Sequence, residues 1–203
     1  RYHQWPLQGK VATLPSGSET IDLSSHTYDW SKMPLSYLNG YTEEQGNAVA
    51  QLMSDLGLSM GAAYNSGTTD VNVTSNIGRK FQQNFDYTGE YDLSQKDVQY
   101  VDNEAGWIAK IIESIDNNCP IPYSGTRTSG SGTAHYLHMF VLDGYSENNY
   151  FHFNWGWSGD GNGWFTLSTM GPSADRLYTQ SNKAYFNLAP NKATYAISAS
   201  ASP

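Results

Sequence analysis

Two neighbouring stretches, HMFVLDGY at residues 138–145 and YFHFNWGW at residues 150–157, decide how the second half of this chain folds. His138–Asp143 is an almost unbroken apolar run, which predicts a buried strand. In Tyr150–Trp155, apolar side chains alternate with more polar ones, which predicts a second strand with one buried face. Because the residues between them, Gly144–Asn149, indicate a turn, the two strands are expected to form an antiparallel hairpin.

The hairpin also places a histidine beside an asparagine. His138 begins the first strand and Asn154 ends the second, so an antiparallel arrangement brings these two ends together. An asparagine next to an imidazole can accept its ring N–H, which fixes the tautomer and leaves the other nitrogen free to face a nucleophile. Trp155 would cover that bond and exclude water from it. The simpler alternative for a histidine on an apolar strand is a hydrogen-bonded core residue.

The other strands of the second half are shorter. Pro120–Ser124 is expected to be extended, and residues 129–133 form a Gly/Ser loop. Trp164–Leu167, Ala184–Leu188 and Thr194–Ser198 are predicted as further strands. The second half of the chain therefore predicts an antiparallel sheet.

The first half carries helical signals instead. TEEQ at residues 42–45 is a capping box, and apolar residues follow at helical spacing up to Gly57, where the helix is expected to stop. A shorter helix is predicted from about Thr74, and a third one with a broad apolar side at Asn103–Asp116. The polar segment at residues 10–30 is predicted to be a surface loop or a hairpin, and the one at residues 61–72 is predicted to be a loop. Helices followed by an antiparallel sheet define the α+β class.

Composition excludes several classes of function. The 203-residue chain has a formal net charge of −8, with 15% charged and 14% aromatic residues, a balance typical of globular domains. Without a Lys/Arg cluster, this charge argues against nucleic acid or an anionic membrane surface as a partner. The apolar runs are too short to span a bilayer. The single cysteine, Cys119, excludes an internal disulfide framework and a cysteine-rich zinc site.

The two hairpin stretches, followed by GWF at residues 163–165, resemble the His/Asn half of the streptopain-like cysteine peptidases, which have a papain-like fold. TEEQGNAVAQLM at residues 42–53 is similar to the helix in that family's other lobe, and the similarity is collinear over about residues 1–169. The resemblance implies one papain-like catalytic domain with two lobes: residues 1–203, divided into a helical lobe at about 31–118 and a sheet lobe at about 119–203.

The same resemblance implies a role for each of several site residues. His138 would be the general base and acid, Asn154 the residue that orients it, and Trp155 the residue that shields the pair. Trp157 would bind substrate. His135 matches no family position, and on a strand it points away from His138, which disfavours a metal-binding pair. Nothing in the sequence indicates a cofactor or a metal site.

The nucleophile is expected elsewhere. The family carries it in a Gly-Cys-Val-Ala-Thr-like run, a few turns before a segment that YHQWP at residues 2–6 resembles, so it would precede Arg1. Cys119 is a poor candidate because it follows the predicted C-terminus of a helix, where the dipole disfavours a thiolate. The expected partners are therefore a protein or peptide substrate and an upstream segment or propeptide that carries the nucleophile. Together these features predict a secreted, extracellular bacterial cysteine endopeptidase that is N-terminally incomplete in this chain.

Two other functions stay open at this stage. Abundant Trp and Tyr with Gly/Asn loops suit a carbohydrate- or peptide-binding module, because aromatic faces stack on sugars. A non-catalytic peptidase homologue would keep the cleft and bind peptides without cleaving them. His152, between Phe151 and Phe153, is predicted on the surface of the sheet.

Overall fold

The computed structural model describes residues 2–14, 18–66, 68–71, 76–88, 92–128 and 135–191. The chain forms two units: unit 1 contains residues 1–89 and 189–203, and unit 2 contains residues 90–188. The sequence prediction placed residues 31–118 in one helical lobe, whereas residues 90–118 belong to unit 2, which also holds the large sheet.

The described residues of unit 1 form two small hairpins, a 3₁₀ turn and two helices. Its elements are β1 (Val11–Thr13), β2 (Thr20–Asp22), a 3₁₀ turn (Trp30–Lys32), α1 (Glu43–Met60), β3 (Ala63–Asn65), β4 (Thr68–Asp70) and α2 (Asn76–Phe85). The β1–β2 hairpin agrees with the expected loop or hairpin. The loop predicted over residues 61–72 is wrong, because β3 and β4 form an antiparallel hairpin there. Three-residue strands are too short to show an alternating pattern in the sequence.

Helix α1 begins at the predicted capping box. The Thr42 hydroxyl accepts a hydrogen bond from the Gln45 amide, and the Gln45 side chain accepts one from the Thr42 amide. The predicted stop at Gly57 is wrong, because α1 continues to Met60 and ends at Gly61, whose φ of 68° is left-handed. Gly57 lies within the helix, where the Tyr64 hydroxyl leaves no room for a β-carbon.

The apolar side of α1 contributes to the core of unit 1, which contains Tyr28, Trp30, Met33 and Leu52. Helix α2 confirms the second predicted helix, although its expected beginning near Thr74 lies outside the described residues. The described helices include none that is both long and apolar enough to cross a membrane.

Unit 2 contains a six-stranded antiparallel sheet and two helices, which lie between its first and second strands in the sequence. Its elements are β5 (Asp92–Gln95), α3 (Lys96–Gln99), α4 (Glu104–Asp116), β6 (Ile121–Thr128), β7 (His135–Tyr145), β8 (Phe151–Asn154), β9 (Gly163–Phe165) and β10 (Gln180–Phe186). The strand order is β5-β10-β6-β7-β8-β9, and every pairing is antiparallel. The α+β class is therefore confirmed.

Helix α4 and the strands follow the predicted pattern with shifted ends. Asn103 caps α4 by accepting a hydrogen bond from the Gly106 amide at 3.0 Å. The helix packs fully buried Trp107 and Ile111 into the core of the sheet, and this packing explains why it belongs to unit 2. Strands β9 and β10 begin before their predicted positions. The loop at 129–133 and the strand at 194–198 lie outside the described residues.

A β-bulge in β7 sets the faces of the hairpin. Tyr145 pairs with Phe151 and Gly144 with His152, but Leu142 pairs with Phe153, so one extra residue, Asp143, lies on β7. Such a bulge changes which residues of the two strands share a face. On the far side of the bulge, Val141 pairs with Asn154.

Candidate active site

His138 lies on the core-facing side of β7, where it pairs with Gly125 of β6. Its ring is half-buried, and Nε2 lies 2.8 Å from the main-chain oxygen of Trp155. A carbonyl oxygen only accepts hydrogen bonds, so Nε2 must carry the proton. In the neutral imidazole, Nδ1 then keeps its lone pair. The contact therefore fixes the tautomer and the orientation of the ring.

Aromatic side chains surround this imidazole. The Trp157 ring stacks on it with 4.5 Å between the ring centroids and 16° between the planes. The rings of Tyr178, Phe140 and Trp155 follow at 5.5, 5.8 and 6.5 Å. This burial lowers the pKa of His138, because it disfavours the charged form, while the bond to Trp155 acts in the opposite direction. Burial thus favours the neutral form of the His138 imidazole, which can act as a base.

The acceptor of the His138 N–H differs from the one that the sequence indicated. Asn154 pairs with Val141, so by strand alternation its side chain lies on the face opposite His138. The Asn154 carboxamide oxygen instead accepts a hydrogen bond from the Gly156 amide at 3.0 Å. The expected hydrogen bond between the side chains of His138 and Asn154 is therefore replaced by one to the main chain of the next residue. The physical cause is the bulge, without which Asn154 would pair with Leu142.

Trp155 is held in place from several sides. Its side chain is fully buried, and its indole N–H donates to the Gly161 carbonyl at 2.9 Å. Its amide donates to the side-chain oxygen of Asn162, also at 2.9 Å. Gly161 has a φ of 70°, and a β-carbon there would collide with Pro172. The glycine-rich turn thus fixes the residue whose carbonyl orients His138.

Asn162 is a positioning residue that the sequence analysis missed. The sequence analysis assigned no role to the GDGNGW segment at residues 159–164. An asparagine between two glycines was the available signal, because such a side chain can reach back to a main-chain amide.

The other two candidate histidines of the sheet lie away from this arrangement. His135 is exposed and, three residues before His138 on a regular part of β7, lies on the opposite face as expected. His152 also lies on the outer face, where its Nδ1 is 2.5 Å from a carboxylate oxygen of Asp143. The described residues contain no group of three or more His, Cys, Asp or Glu that could hold a metal ion.

Cys119 follows α4, as the sequence predicted, and is buried. Burial raises the pKa of its thiol, and Sγ lies 3.4 Å from the Asn117 carbonyl. Cys119 lies two residues before Ile121, where β6 begins, and His138 pairs with Gly125 of the same strand. The rise of a strand separates Ile121 from Gly125 by about 13 Å. The protonated, distant Cys119 is therefore not suited to attack a substrate beside His138.

Solved structures of known proteins show which fold this chain has. The structure is similar to that of the active wild-type interpain A cysteine protease of Prevotella intermedia, with a TM-score of 0.75 and 24% sequence identity over 91% of this chain and 76% of that one. A fragment of prointerpain A matches with a TM-score of 0.68. The chain thus has the papain-like peptidase fold that the resemblance implied.

The family follows from the sequence. A profile described as the Peptidase C10 family matches residues 1–165, and this chain belongs to that family. Streptopain of Streptococcus pyogenes is 28% identical over 186 residues, which make up 86% of this chain and 44% of that protein. The thiol protease/hemagglutinin PrtT of Porphyromonas gingivalis is 32% identical over 155 residues, 73% of this chain and 16% of that protein. The chain therefore spans less than half the length of these curated relatives.

Proposed function

We propose that this chain carries the histidine half of a cysteine endopeptidase, which cleaves peptide bonds of proteins through a thioester intermediate. One observation carries the proposal: the Trp155 carbonyl holds the Nε2–H of His138, while Nδ1 has no hydrogen-bond partner among the described residues. Membership of a peptidase family and relatives that are named as thiol proteases support it.

In the proposed first step, a cysteine thiol gives its proton to Nδ1 of His138, and the thiolate attacks the carbonyl carbon of the substrate. The C–N bond then breaks, and Nδ1–H returns the proton to the leaving amine. During this step, the imidazolium is stabilised by the Trp155 carbonyl, which accepts from Nε2–H. A neighbouring thiolate would also raise the pKa of His138, which burial lowers in its absence.

The second step hydrolyses the thioester. Nδ1 of His138 takes a proton from water as the water oxygen attacks the acyl carbon. The C–S bond breaks, and the cysteine sulfur leaves with the electron pair. The same nitrogen therefore takes a proton from the thiol, gives it to the leaving amine and takes another from water, so its direction must stay constant through the cycle. The bond at Nε2 supplies that constancy.

We place the nucleophilic cysteine in a segment that precedes Arg1, because Cys119 is buried, protonated and remote. Trp155 positions His138 through its carbonyl, and Asn154 helps to hold the main chain there by binding the Gly156 amide. Trp157 forms a wall of the substrate site beside the imidazole of His138. The pro form of interpain A supports a propeptide in this protein too. Bacterial relatives and the low content of charged residues favour secretion.

The proposal is tested with the protein extended N-terminally by the segment encoded before Arg1. We expect cleavage of a protein substrate that a thiol-alkylating reagent abolishes. Cys119→Ser should retain that activity, because the Cys119 thiol is buried and protonated. An extended protein without peptidase activity would contradict the proposed function. Loss of activity in Cys119→Ser with an unchanged melting temperature would contradict the location of the nucleophile.

A further inference from the structure

A single cation lies on the His138 side of the sheet in the described part of β6. Arg127 is two residues beyond Gly125, the strand partner of His138, and pairs with Tyr136. Residues two apart on a strand share a face and are about 7 Å apart. Arg127 and Tyr136 therefore lie on the same face as His138, one step further along the strands.

Tyr178 connects this cation to the imidazole. Its ring centroid is 5.5 Å from that of His138 and 5.9 Å from the guanidinium carbon of Arg127. The Tyr178 backbone passes so close to Gly125 that a β-carbon there would collide with the Tyr178 carbonyl. Glycine at position 125 thus allows the buried Tyr178 to pack between His138 and Arg127.

Among the described residues, the guanidinium of Arg127 has no anionic partner. Its carbon lies 4.3 Å from the centroid of the Tyr136 ring, which is a favourable cation–π contact but satisfies no N–H group. Its Nε is buried without a hydrogen-bond partner, and the ion pairs among the described residues do not include Arg127. A buried N–H without an acceptor is costly, so the hydrogen-bonding capacity of Arg127 is not satisfied within the described part of the chain.

Asp175 is a nearby acidic group but does not fill this place. Hydrogen bonding from Ser173 is the main reason that the pKa of Asp175 is lowered, and the charges of Arg176 and Arg127 contribute least. Asp175 is exposed and lies beyond ion-pair distance of Arg127. The chain is acidic overall, with a net charge of −8, but charges more than about 8 Å away are largely screened at physiological ionic strength. The local positive charge therefore dominates at this position.

We propose that Arg127 forms a subsite that selects an acidic side chain in the peptide substrate, a few residues from the bond that is cleaved. This inference rests on the proposed peptidase function. Successive residues of an extended peptide are about 3.3 Å apart, so a strand step of about 7 Å corresponds to two residues of substrate. A carboxylate suits the subsite because a guanidinium binds it through two parallel hydrogen bonds.

The experiment compares matched peptides that contain Glu or Gln, with the residue moved in turn through the positions on both sides of the cleaved bond. In the N-terminally extended protein, we expect about a tenfold higher kcat/KM for Glu than for Gln at one of these positions. Arg127→Met should reduce that ratio to about one, because an uncharged side chain no longer distinguishes Glu from Gln. Arg127→Lys should retain part of the preference, because it keeps the charge but not the planar geometry.

Lys183→Met is the matched control. Lys183 pairs with Ser124, so it lies on the opposite face of the sheet from Arg127, and its loss changes the net charge equally. It should keep the full preference for Glu. A preference that survives Arg127→Met, or a wild-type protein that cleaves both peptides equally at every position, overturns the subsite. A protein that cleaves none of the peptides contradicts the peptidase function and the subsite with it.

Discussion

The β7–β8 hairpin carries histidines on both of its faces, and the surroundings of His138 and His152 differ. On the core side, His138 lies among aromatic rings and has a neutral carbonyl at one nitrogen. On the outer side, the Nδ1 of His152 lies against the carboxylate of Asp143, and Trp164 covers its edge. Each of the two rings thus has one nitrogen in a hydrogen bond and keeps the other available, so the bond itself does not distinguish them. A hydrogen bond to a histidine thus does not mark a catalytic site; the free second nitrogen in a shielded place does.

Removing each ring gives the largest expected difference between the two faces. His138→Ala should lower kcat/KM of the N-terminally extended protein by about a thousandfold or more, because it removes both the base and the acid. His152→Ala should stay within about twofold of wild type, because His152 pairs with Asp143 on the other face. Steady-state kinetics on one peptide substrate measure both. Equal losses in the two variants would remove the distinction.

The tryptophans beside the two histidines give the next effect. Trp155 is fully buried, so Trp155→Ala should lower the free energy of unfolding by about 3–5 kcal/mol. It should also lower kcat by about tenfold, which corresponds to about 1.4 kcal/mol of activation free energy. The reason is that water would reach the hydrogen bond between His138 and the Trp155 carbonyl.

Trp164→Ala is the control for that change. The Trp164 ring is 51% exposed on the outer face, so its loss should cost less stability and leave kcat unchanged. Thermal melts and kinetics on both variants separate the two effects. If Trp155→Ala lowered only the melting temperature, Trp155 would be a core residue without a part in the site.

The smallest effect is the dependence of stability on pH. Burial lowers the pKa of His138 below its usual value of 6.5, so the unfolded chain binds a proton more readily than the folded one. The free energy of unfolding should therefore be highest above pH 6.5 and fall as the pH drops through the folded-state pKa.

His138→Gln tests this pH dependence because it removes the titrating group. Urea denaturation at several pH values would measure it, in the extended protein with its nucleophile replaced by alanine. The loss of stability at acidic pH should be smaller in His138→Gln than in its parent. Parallel losses in the two proteins would assign the pH dependence to other groups.

The elements of this fold could largely be predicted because their signals are local. The capping box at Thr42 and the apolar run from His138 determine structure within their own segments. The stop of α1 was misplaced because Gly57 and Gly61 look alike in sequence, and only the structure shows that Gly57 continues the helix whereas Gly61 adopts a left-handed φ.

The acceptor for His138 could not be predicted from residue types. Every residue has a main-chain carbonyl, so the Trp155 oxygen leaves no signal in the sequence. The face of Asn154 depends on the bulge at Asp143, a single extra residue in the register of two strands. That Trp155 lies near His138 was thus predictable, whereas the atoms that contact each other depend on register.

The tautomer of His138 tests the central claim most directly. ¹⁵N NMR of histidine-labelled protein, N-terminally extended and with the nucleophile replaced by alanine, distinguishes a protonated ring nitrogen from a bare one. At a pH where the ring is neutral, the account predicts a proton on Nε2 and a bare Nδ1, because the Trp155 carbonyl can only accept. A proton on Nδ1, or rapid averaging of the two nitrogens as in a solvated imidazole, would contradict it.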